Sequence, residues 1–229
     1  MSDDATLAAF RLADTALPVG TDSVSYGLEQ FVASDRVEDI DDLQALLATY
    51  LRRQLGPGEL VALRAAHAAG TDGDLDGVLD ADRRLTAVTL SAEFRESAQR
   101  TGERLLRLQR DLRTDDLLDE YAAAVEAGDA DANYPVVLGA VAGREGVHVR
   151  EACLLACHEF VSALLGAAQR LLRLGSSDVQ RALDELRPVM VEAVDDSADR
   201  SLDAMTPFAP LIDVASAAHE RADRRLFVS

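Results

Sequence analysis

Leu17-Pro18-Val19-Gly20-Thr21-Asp22-Ser23-Val24-Ser25-Tyr26-Gly27-Leu28-Glu29 is the stretch around which the rest of the chain is organised. It opens with turn chemistry: Pro18 fixes φ and cannot continue a helix, and Gly20 tolerates a left-handed or sharply bent backbone. Asp22 and Ser23 can each accept a bond from an orphan N–H, which predicts a helix opening there. That helix would bury Val24, Leu28, Phe31 and Val32, at i, i+4, i+7 and i+8. Ser25, Tyr26 and Glu29 fall on its other faces, with Gly27 in mid-helix at a cost relative to alanine. A glycine accepted there next to an acid suggests that another backbone comes close.

Outward from this stretch the pattern is helical throughout. A first helix spans about residues 4–15. Acidic residues from Asp39 to Asp42 open another, with Leu43, Leu46, Leu47, Tyr50 and Leu51 as its apolar stripe. Gly56-Pro57-Gly58 is expected to break it, and Glu59 to open the next, up to Ala69. Thr71–Gly77 reads as a loop. Leu79–Leu112 is a long helical pattern interrupted near Ser91, and Gly102 ahead of Leu105-Leu106 suggests a close helix crossing. A short helix (Asp115–Glu126) and the loop ending Asn133-Tyr134-Pro135 precede an apolar run, Val136–Ala142. That run is too short to assign by period and is taken as helix from its surroundings. The longest buried-looking helix starts at His148 or Val149 and ends at Leu174. Asp178–Val194 is another, bent at Pro188.

Composition favours the same class. Alanine and leucine dominate, aromatic residues are 4% of the chain and tryptophan is absent. The 229 residues suffice for a sizeable core. We expect an all-α, single-domain multi-helix bundle over residues 1–204, with residues 205–229 as a C-terminal arm of the same domain. The formal net charge is −18, and all 23 basic residues are arginine. Such a surface argues against nucleic acid or an anionic membrane as partner. It suits a protein of a salt-loving organism, where salt screens the self-repulsion; an acidic protein of a GC-rich genome is the plainer alternative, which explains the missing lysine but not the size of the charge. The start, Met1-Ser2-Asp3-Asp4, lacks the basic-then-apolar layout of a signal peptide, and no uninterrupted apolar run is long enough to span a bilayer. A cytoplasmic location is expected.

Motifs for chemistry are few. Asp72-x-Asp74-x-Asp76-Gly77 copies half of a calcium loop, but Arg83 stands where the bidentate glutamate belongs, so it reads as a solvated acidic turn. Cys153 and Cys157 share a helix face. With His148 and His158 they could suit a metal, giving an independent metal-binding helical protein as the alternative function. Two buried cysteines among Leu154, Phe160 and Val161 are the simpler reading. Glu145-Gly-Val-His148 has the spacing of half a di-iron site without a second copy. No phosphate loop, nucleophile elbow or His-Glu-x-x-His is present, which points away from an enzyme. The tail from Met205 is apolar and basic, odd as mere surface on so acidic a chain; it is either core or a partner-binding arm.

Two end motifs carry a resemblance. Leu17, Pro18, Val19, Gly20, Ser23, Ser25, Gly27, Leu28 and Glu29 match the N-terminal signature of the urease accessory protein UreF family; Thr21, Asp22 and Val24 depart from it. Pro210-Leu211, Asp213, Ala215-Ser216, His219-Glu220 and Arg225-Leu226-Phe227 with Ser229 match its C-terminal pattern. A weaker match lies around Gly102 and Leu105-Leu106. Arg170 keeps a basic family position, while Arg173 and Ser176 replace the family's proline and glutamine.

The resemblance implies an all-helical, non-catalytic chaperone of urease maturation that carries no cofactor and handles nickel only transiently. Its implied partners are a UreD/UreH-type accessory protein, the GTPase UreG and apo-urease, with a homodimer inside the complex. Carried over by position, Glu29, Glu59 and Arg170, with Tyr26, Ser25 and Gly27, are candidates for partner contact and nickel handover. Internal ion pairing is the other reading of the three charged residues, with Arg170 the candidate partner of Glu29. Pro210, Asp213, His219, Glu220, Arg225, Leu226 and Phe227 are candidates for partner binding by the arm. His219 is a weak metal candidate, and no tight metal site is expected.

Overall fold

The computed structural model describes residues 2–14, 17–20 and 26–219, with only the backbone at 218 and 219. Among the described residues there is no strand, and eleven α-helices form one bundle. They are α1 (Asp3–Leu12), α2 (Leu28–Ala33), α3 (Ile40–Tyr50), α4 (Leu60–Asp72), α5 (Leu75–Val88) and α6 (Ala92–Leu112). Then follow α7 (Asp116–Ala127), α8 (Tyr134–Arg144), α9 (Val149–Leu171), α10 (Ser176–Asp196) and α11 (Pro210–His219).

The centre is the α4–α8 pair, and small residues set it. A Cβ at Gly139 would sit 2.3 Å from the Leu63 carbonyl oxygen, and one at Gly143 would sit 2.4 Å from that of His67. Gly70 returns the contact against Ala140 at 2.6 Å. Two backbones this close leave no room for side chains between them, so the pair packs through glycine and alanine. Fully buried α9 residues, Cys153, Val161 and Leu165 among them, pack around it. By length and composition α9 could cross a membrane, but half of its most apolar window is buried in the bundle, as in a core helix.

Three local expectations are corrected. Gly27 is not in mid-helix: it is the N-cap of α2 at φ 76°, preceded by Tyr26 at φ 47°. Ser25 lies outside the described residues. Gly56-Pro57-Gly58 does not break the chain; Leu51–Glu59 is a π-helical segment joining α3 directly to α4. The wider turn tolerates Pro57, which lacks an N–H. Backbone carbonyls of this segment are taken by the C-terminal stretch: Phe208 N donates to Arg53 O (2.9 Å) and Thr206 N to Pro57 O (3.2 Å). Thr71–Gly77 is mostly helix rather than loop. Gly73 closes α4 in a left-handed conformation and Asp74 caps α5 by accepting from Gly77 N at 3.1 Å. The acidic run is therefore capping chemistry.

The interruption near Ser91 is present, and Ser91 caps α6. Gly102 marks a close approach, though to the loop before α8: its Cβ would lie 1.8 Å from the Ala132 oxygen. α10 continues past Pro188 as one helix. Beyond α10, the described part of the arm folds back: Met205, Ala209, Ile212 and Ala215 are buried, while α11 lies along α2 and α6. Phe208, Leu211 and Val214 remain 68%, 62% and 65% exposed.

Candidate functional site

Asp82 is the anchor from which the site is built. It is fully buried in α5, and its carboxylate accepts from the backbone N–H of Asp131 (2.7 Å), Ala132 (2.9 Å) and Asn133 (2.9 Å). The Asn133 amide adds a bond at 2.8 Å. Three converging backbone donors satisfy a carboxylate that burial would otherwise penalise. The clamp fixes the loop whose next residues, Tyr134 and Pro135, start α8 and wall a cavity of about 60 Å³. That is room for a few waters.

Tyr26 forms another wall. Its ring lies between Phe94 (centroids 5.2 Å apart, tilted 59°) and Phe160 (4.9 Å, 60°), and its carbonyl accepts from the Tyr50 hydroxyl. Such tilted rings place edge against face. Opposite, Tyr134 donates to Glu159 Oε2 at 2.5 Å. Burial, then the charge of nearby carboxylates, pushes the Tyr26 and Tyr134 phenols up, so both stay protonated donors at neutral pH.

Glu59, the last residue of the π segment, closes the cavity. No hydrogen bond or ion pair to its carboxylate occurs among the described residues, and burial raises its pKa to about 7. It also lines a smaller neighbouring cavity of about 20 Å³, beneath the C-terminal stretch, with Gln54, Leu90, Phe208 and Asp213. Asp213 is likewise pushed up by burial. Glu159, Glu59 and Asp213 thus stand along two adjoining cavities.

The structure brings Tyr26 and Glu59 together and sets Gly27 against α11, where Asp213 sits. Glu29 is half-buried on α2, and Arg170 is exposed near the end of α9 with its Nε 3.4 Å from the Gly166 oxygen. Neither lines the cavity. Pro210 is exposed at the start of α11. The side chain of His219, and Glu220, Arg225, Leu226 and Phe227, lie outside the described residues. Asp82, Tyr134 and Glu159 were missed by sequence reasoning. Only the Asn133-Tyr134-Pro135 helix start pointed near them, and nothing in the sequence marks Asp82.

The metal alternative fails on geometry. His148 and His158 are exposed, while Cys153 and Cys157 are buried and free. His148 Nδ1 instead accepts from Arg150 N at 3.2 Å as the cap of α9. Glu145 is engaged by Arg11 and Arg113. Among the described residues no group of three or more His, Cys, Asp or Glu could hold a metal ion.

The helical body itself has known kin: the profile of the UreF family matches residues 37–187, about two-thirds of the chain. The chain belongs to the UreF family. The urease accessory protein UreF of Trichodesmium erythraeum (strain IMS101) is 30% identical over 223 residues, 97% of this chain and 96% of the relative. That of Yersinia enterocolitica serotype O:8 is 29% identical over 214 residues, 93% of each. Urease accessory protein UreF 1 of Brucella melitensis biotype 1 is 28% identical over 216 residues, covering 94% and 89%. These similarities extend beyond the profile match towards both ends of the chain. In this UreF-family chain Gly27 and α11 are packed together, with Tyr26 and Asp213 at adjoining cavities.

Proposed function

We propose that this UreF-family chain is a cytoplasmic, non-catalytic chaperone of urease maturation. In this reading it dimerises, bridges a UreD/UreH-type accessory protein and the GTPase UreG, and supports nickel delivery to apo-urease. The observation that carries it is near full-length similarity to proteins named urease accessory protein UreF. Nickel is cargo here and needs gating rather than tight ligation. Carboxylates in series along the adjoining cavities suit that task, Glu59 foremost because it has no fixed partner among the described residues and its pKa is raised to about 7. Glu29 and Arg170 belong to partner contact, as do the exposed side of α11 and the segment that follows it. The acidic, lysine-free surface supports a high-salt setting.

The test is co-expression with urease and its other accessory proteins. The chain should co-purify with the UreD-type protein and UreG, and its removal should leave urease nickel-poor. Failure to co-purify under any salt condition would sink the scaffold reading. Glu59→Gln separates the finer claim: it should keep the complex intact and lower the nickel content of urease.

A further inference from the structure

Glu145, at the turn between α8 and α9, gathers side chains from three parts of the chain. It accepts from Nη2 of Arg11 on α1 and from Nη2 of Arg113, just beyond α6. Arg11 Nη2 also lies 3.5 Å from Oε1 of Gln109, which is fully buried. That contact makes Nε2 the free end of the Gln109 amide. Arg11 Nε, Arg113 Nε and Gln109 Nε2 are all closed off from solvent, and none has a partner among the described residues. They are half of the six such buried side-chain atoms found there, so the shortfall is concentrated in one place.

Buried donors without acceptors are costly, and a cluster of them calls for a shared acceptor. Charge says which kind. Two guanidinium groups face one carboxylate, leaving one positive charge over in a chain of net −18. The nearby Asp115 does not offset it, since its oxygens cap Leu118 N and pair with Arg144. The Arg11 and Arg113 side chains are 38% and 25% exposed, so solvent reaches part of each guanidinium; at the closed-off Nε and amide N–H groups an anion supplies both the acceptor and the charge. Planar guanidinium N–H groups beside an amide N–H suit the oxygens of a carboxylate or phosphate.

The geometry points to a binding site for one small oxyanion, of carboxylate or phosphate class, between α1, the end of α6 and the α8–α9 turn. Since Arg11 comes from α1, the bound anion also fastens that helix to the bundle.

The test uses the full chain, titrated with sodium phosphate and separately with sodium acetate, each against sodium chloride at matched ionic strength. Calorimetry should give one site per chain for one of the two, and that one names the class. At about a hundredfold excess over Kd the melting temperature should rise by roughly 5–10 °C beyond the chloride control. Gln109→Leu, which removes the free amide, should weaken binding at least tenfold; Arg113→Gln is a second, more exposed variant should the first fold poorly. Arg52→Gln, at a surface pair with Glu192, should bind normally. Responses no larger than with chloride, or unchanged in both site variants, overturn the proposal.

Discussion

Gly27 and Ser216 meet backbone to backbone: a Cβ on Gly27 would lie 3.4 Å from the Ser216 nitrogen. Nearby, the Ser216 and Ser91 hydroxyls are 2.6 Å apart, tying α11 to the cap of α6. Residues 189 positions apart thus share one contact, and both belong to the end motifs. Gly27→Ala places an L side chain at φ 76°. We expect a loss of about 1–2 kcal/mol, mostly from the left-handed backbone, since 3.4 Å is tolerable contact. Thermal melting should fall by several degrees, and amide exchange in α11 should quicken. Unchanged melting and exchange would show that the junction is not strained.

Gly102→Ala should be worse. Its Cβ would fall 1.8 Å from the Ala132 oxygen, in the loop clamped by Asp82, so backbone must move. Overpacking of this kind costs about 3 kcal/mol or more. Gly166→Ala, in α9 with nothing within 4 Å, should instead gain up to about 1 kcal/mol from helix propensity. Urea midpoints of the two variants should move in opposite directions.

The Glu59 carboxyl has a pKa raised from 4.5 to about 7 by burial. Between these values the folded chain holds a proton that the unfolded chain has lost, so stability falls as pH rises across that window. Above about pH 7 the penalty is complete, at most about 3 kcal/mol. Glu59→Gln should therefore match the parent near pH 4.5 and be more stable at pH 8. Equal melting temperatures at pH 8 would mean that the carboxylate is already well solvated.

Burial raises the Cys153 pKa to about 11 and pushes Cys157 up as well. Their thiolate forms are scarce at neutral pH, and thiolate is the reactive form. Neither should react with a thiol reagent at pH 8 until the chain is unfolded. Rapid labelling of the native chain would contradict their place in the core.

The exposed face of α11 carries Leu211 and Val214, close in sequence to exposed Phe208. Leu211→Asp with Val214→Asp should leave melting within about 1 °C, because surface changes rarely cost much. The same double variant should lose co-purification with the UreD-type partner. Full retention of the complex would move the partner surface elsewhere.

With an acidic, lysine-free surface, melting temperature should rise markedly between 0.1 M and molar potassium chloride, as the screening length falls from about 10 Å to about 3 Å. A flat response would remove the high-salt reading.

The sequence by itself determined the all-helical class and those helices whose start carries its own cap: Asp39 before α3, Ser91 before α6, Asp115 before α7. It also determined the family, since both end motifs are local strings. It did not determine what happens at Gly56-Pro57-Gly58. Whether proline and glycine break a helix depends on who takes the freed carbonyls, and here the takers are Thr206 and Phe208, about 150 residues on. Gly27 was legible as a close approach but not as a left-handed cap, because its neighbour is α11. Only the tertiary structure decided that Glu59, singled out in the sequence by resemblance alone, shares a cavity with Tyr26 with no partner among the described residues, and that Asp82 holds the loop leading into the Tyr134 wall. Burial and charge pairing of a side chain are set by distant elements, and no local pattern encodes them.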